Sequence, residues 1–166
     1  MTITSSDHAI DQARRALARA DLGRLDYLRA LQDAVQQGVG QREIARALHI
    51  TQSAISQALT KAESKGVTAI PAGFSGASPY EIAERYAAGE IDRDEMIRQL
   101  SAWPYVKAPD HTEQLAAEWK AILPPDPPGT FEEVGEAFDK GLIDGDAYDI
   151  ILDAANDAPE ASLTTL

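Results

Sequence analysis

The 166-residue chain contains no cysteine, which excludes disulfide bonds and cysteine-ligated metal sites. Aromatic residues are also scarce, at 6% of the sequence. No apolar run approaches the roughly 18 residues that a membrane span needs, and the N-terminal stretch lacks the apolar segment of a secretion signal. We therefore expect a cytoplasmic protein without a membrane partner.

Alanine is the abundant residue, with 29 copies, whereas β-branched residues are thinly scattered. Because alanine is the best helix former, the summed propensity favours helix nearly everywhere outside the stretches rich in proline and glycine. The sequence therefore predicts an all-α fold.

Charge is distributed unevenly along the chain. Residues 1–66 hold nine Lys and Arg against seven Asp and Glu, whereas residues 67–166 hold six against twenty. Glycine, proline and serine interrupt the helical patterns after the first block. We predict a helical domain over 1–66, a linker over 67–77, an acidic helical domain over 78–158 and a flexible tail over 159–166.

Apolar residues at helical spacing predict one or two helices before Gly38, a glycine placed to end a helix. Gly23 leaves open whether a single long helix is broken there or only weakened. The spacing predicts inward positions at Ile10, Ala13, Leu17, Leu22, Leu25, Leu28, Leu31 and Val35.

Residues 41–63, "QREIARALHITQSAISQALTKAE", predict two short helices separated by a tight turn at "HIT". Thr51 is a good N-cap for the second helix. Predicted inward residues are Ile44, Ala45, Leu48, Ala54, Ile55, Ala58 and Leu59, and predicted outward residues are Gln52, Ser53, Ser56, Gln57, Thr60 and Lys61. The outward side is polar but almost uncharged, which suits a helix in the major groove of DNA.

The stretch "QREIARALHITQSAISQALT", residues 41–60, resembles the helix-turn-helix of the phage Cro and repressor proteins, including the "QSAI" that opens the Cro recognition helix. The resemblance implies base contacts from Gln52, Ser53, Ser56, Gln57 and Thr60, with Gln41 and Arg42 near the DNA backbone. Thr51 and Lys61 complete the predicted DNA-binding set. His49 occupies a turn position that is usually glycine in that family, at a cost on the order of 1 kcal/mol.

Cations elsewhere in the first domain are candidates for phosphate contacts, which position a protein on DNA without reading its sequence. These candidates are Arg14, Arg15, Arg19, Arg24, Arg29, Arg46 and Lys65.

The acidic part contains an internal repeat, in which residues 78–100 overlay residues 130–152. Each copy predicts a helical hairpin. The predicted N-caps are Ser78 and Thr130, with Glu81 and Glu133 completing capping boxes, Gly89 and Gly141 ending the first helices, and Asp92 and Asp144 capping the second.

Between the repeats, residues 110–123 predict another amphipathic helix, and Trp103 and Tyr105 are either core residues or interface anchors. Asp144, Asp146 and Asp149 place carboxylates at calcium-loop spacing. Counted from Asp144, however, the sixth and twelfth positions are Asp149 and Ala155, where such a loop needs Gly and Glu. The three histidines are scattered and no Gly-rich phosphate loop occurs. We predict no cofactor, no metal site, no catalytic residues and no enzymatic activity.

These patterns lead us to expect a sequence-specific transcriptional regulator, a repressor or autorepressor that binds double-stranded operator DNA and uses its acidic half to bind protein. The architecture is similar to that of antitoxins in toxin-antitoxin systems, an analogy that implies a basic toxin as partner. Two alternatives stay open: a Cro-like switch whose C-terminal half makes a homodimer, and a protein-binding adaptor without DNA binding.

Overall fold

The computed structural model describes residues 5–107 and 128–157, and within these ranges it contains helices and no strand, which confirms the all-α prediction. The helices are α1 (Ser5–Gln36), α2 (Gln41–Ala47), α3 (Gln52–Ser64), α4 (Pro79–Ala88), α5 (Arg93–Ser101), α6 (Glu132–Asp139) and α7 (Gly145–Asp157). The helix predicted over 110–123 and the tail predicted over 159–166 lie outside the described residues. The chain divides into two compact units, residues 1–70 and 71–166.

The first unit begins with a single helix of 32 residues, α1, which runs through Gly23 without a break. Gly38, just beyond its end, has a φ of +88°, the left-handed conformation that terminates helices. The structure thus resolves the alternative at Gly23 and confirms the predicted end.

The core of the first unit forms where α3 packs against both α1 and α2. Leu31, Ile44, Ala45 and Ile55 are buried together there. Burying such side chains is worth roughly 1.5–3 kcal/mol each for the larger ones, so this small cluster holds three helices together.

Several predicted inward residues of the first unit face solvent instead. Leu48 is 47% exposed because α2 ends at Ala47 and the chain turns at Leu48. Ala54 is exposed since it is rotated by about 100° from the buried Ile55 on α3. Ile10, Ala13, Leu17 and Val35 are exposed as well, and every residue from Asp7 to Leu17 is exposed.

Arg29 is also placed differently from the prediction. Its guanidinium is buried, donates from Nε to the carbonyl oxygen of Thr68 at 2.8 Å, and lies 3.4 Å from a carboxylate oxygen of Asp26. Because it fastens the segment after α3 to α1, Arg29 has a structural role and is not a phosphate contact.

The second unit is built from two helical hairpins, α4 with α5 and α6 with α7, which correspond to the two copies of the repeat. Helix α4 packs on α6, and α5 packs on α7, so each helix lies against its own counterpart in the other copy. The shared core consists of Ile82, Ala83, Met96, Leu100, Val134, Ala137, Ile143, Ala147 and Ile151.

Most of the predicted helix caps in this unit are present. Ser78 Oγ accepts from Glu81 N at 3.3 Å, Asp92 Oδ1 from Glu95 N at 2.8 Å, and Asp144 Oδ1 from Ala147 N at 2.8 Å. The glycines that follow the first helix of each copy have positive φ, +78° at Gly89 and +69° at Gly141. Both features act within one turn of helix, which is why the sequence predicts them well.

Thr130 is an exception to these caps. The N-cap of α6 is Phe131, and the Thr130 side chain is buried with no hydrogen-bond partner on its hydroxyl among the described residues. The predicted capping box is therefore absent, and Glu133 Oε1 accepts instead from the backbone N–H of Gly129, one residue before the predicted N-cap, at 2.6 Å. The prediction that Thr130 caps α6 is therefore wrong, because its side chain is buried and makes no bond to the start of the helix.

Trp103 and Tyr105 pack against the core of the second unit. The Trp103 ring meets Phe74 edge-on with centroids 4.8 Å apart, and the Tyr105 hydroxyl donates to the Leu100 carbonyl at 2.7 Å. Of the two predicted roles, the structure supports core residues.

Candidate nucleic-acid interface

The turn between α2 and α3 is closed by backbone hydrogen bonds that satisfy the last carbonyls of α2. Ile50 N donates to Ala45 O at 3.0 Å and His49 N to Arg46 O at 3.3 Å, the pattern of a Schellman motif. This motif requires a left-handed residue at His49, which has a φ of +56° and is the one non-glycine residue with positive φ among those described. His49 therefore takes the conformation expected from its place in the sequence.

Thr51 then starts α3. Its side chain accepts a hydrogen bond from Ala54 N at 3.1 Å, as predicted for the N-cap. Four residues separate α2, which ends in the Schellman motif, from α3, which begins after the N-cap Thr51. Because hydrogen bonds close both ends of this short turn, they orient α3 together with the packing of the core.

The predicted outward residues of α3 are all exposed: Gln52, Ser53, Ser56, Gln57, Thr60 and Lys61. Thr51 and Arg42 are exposed as well, and Gln41 is half-buried. Ser53, Gln57 and Lys61 follow one another at intervals of four residues and form one stripe along α3.

Arg42 links the two helices of this pair, because its Nε donates to Gln52 Oε1 at 3.3 Å. On the stripe of α3, Gln57 Nε2 lies 3.4 Å from Ser53 Oγ and donates to it. These contacts use the amide oxygen of Gln52 and the NH₂ group of Gln57, two exposed side chains, so the donors of Gln52 and the acceptor oxygen of Gln57 are the groups that suit a ligand.

The Thr60 hydroxyl donates its proton to the Ser56 carbonyl at 3.1 Å. Its oxygen is then left with acceptor lone pairs only, which suits the amino groups of adenine or cytosine in the major groove. Gln52, with its oxygen bound to Arg42, has the opposite character and suits acceptors such as the O6 and N7 atoms of guanine.

A groove of about 340 Å³ runs beside α3, and its lining includes residues that the sequence does not single out. Ser56 and Thr60 of α3 line it together with Gln41 of α2, and Gln32 and Gln36 of α1 line it as well. The spacing of four residues between Gln32 and Gln36 is the only sequence signal for them, and it is too common to indicate a site.

Glu63 also lines this groove and adds a carboxylate to the surface that Ser56 and Thr60 share. Of the other predicted phosphate contacts, Arg15 forms an ion pair with Asp11 at 3.1 Å. Arg14, Arg24, Arg46 and Lys65 are exposed.

Comparisons with protein-family models, with curated proteins and with solved structures find no match for this chain. Among residues 5–107 and 128–157, no helix has the length and apolar character to span a membrane. The identification of the α2 and α3 pair as a DNA-binding helix-turn-helix remains a prediction.

Proposed function

We propose that this protein is a sequence-specific DNA-binding transcriptional regulator, a repressor or autorepressor, that reads its operator with α3. The observation that carries the proposal is the exposed face of α3, which is polar and almost uncharged, with Ser53, Gln57 and Thr60 presented outward. A helix side exposed only to water has no need to avoid charge, whereas a helix in the major groove reads base edges with neutral hydrogen-bonding groups.

The two classes of contact in this proposal come from different residues. Gln52 and Gln57 read bases, and Arg42 and Lys61 lie beside them to neutralise phosphates. Phosphate contacts make binding dependent on salt, whereas base contacts make it dependent on sequence, so the two classes are separable by experiment.

The test is a selection of binding sites from random duplex DNA by the full-length protein, followed by affinity measurements on the selected site over a series of salt concentrations. We expect the parent protein to enrich a motif. Gln57→Ala should then lose about 1–3 kcal/mol of discrimination between the correct and the wrong base at one base pair of that motif. Lys61→Ala is expected to weaken binding to all sequences alike and to lower the salt slope by about one.

Gln37→Ala is the matched control, because Gln37 is an exposed glutamine in the turn after α1. It should leave affinity and motif unchanged. If the protein enriches no motif, or if Gln57→Ala binds the selected DNA as well as the parent does, the proposal fails and the protein-binding adaptor becomes the better explanation.

The second unit supports a further part of the proposal, that this half binds a basic protein, of which a toxin is one example. Helix α7 presents Asp149, Asp153 and the 47% exposed Ile150 on its outer side. Neither aspartate belongs to an ion pair among the described residues. An apolar side chain bordered by carboxylates suits a cationic, amphipathic surface.

We expect the full-length protein to retain a basic partner from a native lysate and the variant Asp149→Lys/Asp153→Lys to lose it. The purified partner should then bind in a reconstituted complex whose affinity falls as salt rises. If the parent and the Asp149→Lys/Asp153→Lys variant bind the purified partner with the same affinity, the outer side of α7 is not the binding surface. The DNA-binding proposal would be unaffected by that result.

A further inference from the structure

Helix α1 carries, between Ile10 and Tyr27, a largely apolar stripe that no described part of the chain covers. The stripe consists of five apolar residues, Ile10, Ala13, Leu17, Ala20 and Tyr27, and one cation, Arg24; all are exposed, with Ile10 at 53% and Leu17 at 64%. Its spacing alternates between three and four residues, the repeat typical of helices that pair along their length.

Gly23 is a second, independent sign of a partner. It lies in the interior of α1, where glycine costs stability relative to alanine, and a Cβ added there would meet no atom within 4 Å. Nothing in the described chain therefore explains why this residue is glycine. Together with Ala9, Ala16 and Ala30 it forms a row of small residues at intervals of seven beside the stripe.

We propose that α1 pairs with α1 of a second copy of this chain in an antiparallel arrangement, about a two-fold axis between Leu17 and Ala20. In this register Leu17 packs on the partner's Ala20, and Ile10 packs on the partner's Tyr27. The row of small residues lets the two backbones approach closely, with Gly23 opposite the partner's Ala16. The stripe from Ile10 to Tyr27 spans about 26 Å at 1.5 Å per residue.

Charge selects the antiparallel direction. Arg14 and Asp21, both exposed, lie one heptad apart on the flank opposite the row of small residues. The antiparallel register places Arg14 beside the partner's Asp21 twice, once on each side of the axis. A parallel pair would instead bring Arg24 against the partner's Arg24, and like charges in a helix seam are unfavourable.

This pairing goes beyond the proposed function and does not depend on it, since its seam involves α1 alone. For a DNA-binding protein it supplies two copies of α3 related by a two-fold axis, which predicts an operator with two related half-sites.

Sedimentation equilibrium of the full-length protein over a wide concentration range tests the pairing. We expect a dimer, and we expect Leu17→Glu to raise the dissociation constant at least about tenfold. Val106→Glu is the matched control, since Val106 is a similarly exposed apolar residue, at 51%, outside α1 and should leave the dimer intact. A monomer at all concentrations, or a dimer lost on Val106→Glu and kept on Leu17→Glu, overturns the proposal.

Gly23→Leu separates loss of pairing from loss of folding. Leucine is a better helix former than glycine, so circular dichroism should show helix content equal to or above that of the parent, while the dimer dissociates. A Gly23→Leu protein that dimerises as well as the parent contradicts the close approach at this residue.

Orientation is tested with charges and with cysteines. Arg14→Glu and Asp21→Arg should each weaken the dimer, and the double variant should restore it.

Cysteine cross-linking is a second test, because the chain has no cysteine of its own. When Leu17→Cys and Ala20→Cys are mixed, disulfides that join one variant to the other should exceed disulfides between two copies of the same variant. Disulfides formed within each variant, together with no rescue in the double charge variant, overturn the antiparallel arrangement.

Discussion

Arg42 Nε, in the first turn of α2, donates to Oε1 of Gln52, the first residue of α3, at 3.3 Å. The two residues are ten positions apart, and this bond ties the exposed starts of both helices together on the proposed DNA-binding surface. Arg42 thus has two roles in our interpretation, as a cation beside the phosphates and as the group that orients a base-reading amide.

Arg42→Lys should separate these two roles. Lysine keeps the charge but lacks the planar guanidinium that holds Gln52, so we expect an unchanged salt slope and a loss of about 1 kcal/mol in discrimination at the base pair that Gln52 contacts. Competition binding with single-base variants of the selected site measures both quantities. Arg46→Lys is the control, and a normal base preference in Arg42→Lys would show that the contact with Gln52 has no part in recognition.

His49→Gly should stabilise the first unit by up to about 1 kcal/mol, because glycine adopts the left-handed conformation at φ +56° without the Cβ clash. Gly38→Ala is the opposite experiment, since φ is +88° there and the added Cβ meets no atom within 4 Å, and we expect a loss of about 1 kcal/mol. Hydrogen exchange of the α2 and α3 amides in the full-length protein measures both. A destabilised His49→Gly protein would mean that the imidazole makes a stabilising contact.

Arg85→Ala should destabilise the second unit strongly. Arg85 and Glu81 are 7% and 5% exposed and are joined by an ion pair of 2.8 Å, so truncating Arg85 leaves a buried carboxylate without its cation, at a cost of about 3–5 kcal/mol. Urea unfolding followed by tryptophan fluorescence reports on this unit, since both tryptophans lie in residues 71–166.

The matched control for Arg85 is Arg98→Ala, which removes an exposed ion pair with Glu95 and should destabilise the unit far less than Arg85→Ala does, because water screens exposed charges. Equal losses for Arg85→Ala and Arg98→Ala would refute the distinction between a buried and an exposed pair.

The stability of the second unit should depend on Asp144 in a pH-dependent way. The hydrogen bond from Arg93 and the backbone N–H of Ala147 hold the pKa of Asp144 below its usual value. A carboxyl group with a lowered pKa in the folded state stabilises the fold above its unfolded-state pKa, about 3.9, and this contribution is lost as the pH falls through the folded-state value.

Asp144→Asn should therefore lower the free energy of unfolding near pH 7, and the difference from the parent should shrink as the pH falls below about 4. Asparagine still caps a helix, so the loss comes from the bond to Arg93. Urea unfolding at a series of pH values gives the comparison, with the exposed Asp153→Asn as control. A difference that stays constant from pH 7 to pH 3 would show that ionisation of Asp144 does not contribute.

Several local features could be predicted from the sequence. Thr51, Ser78, Asp92 and Asp144 act as N-caps, and His49 adopts the left-handed turn conformation. Each of these depends on a hydrogen bond or a backbone angle within a few residues, so the neighbouring sequence contains all the necessary information.

The wrong predictions concern burial. Leu48, Ile10, Ala13 and Leu17 are exposed although their spacing predicts inward positions, whereas Arg29 and Thr130 are buried. A periodic apolar pattern shows that a helix has a face to cover, but it does not show whether another segment of the same chain reaches that face.

The sequence by itself determined the all-α fold, the ends of most helices, the repeat in the acidic half and the polar character of α3. Only the tertiary structure decided that α4 packs on α6 and α5 on α7, that Glu133 accepts from the backbone N–H of Tyr80 in the other copy, and that Arg29 closes on Thr68. The physical reason is range: propensities and caps act within about one turn of helix, whereas burial depends on contacts between residues that lie far apart in the chain.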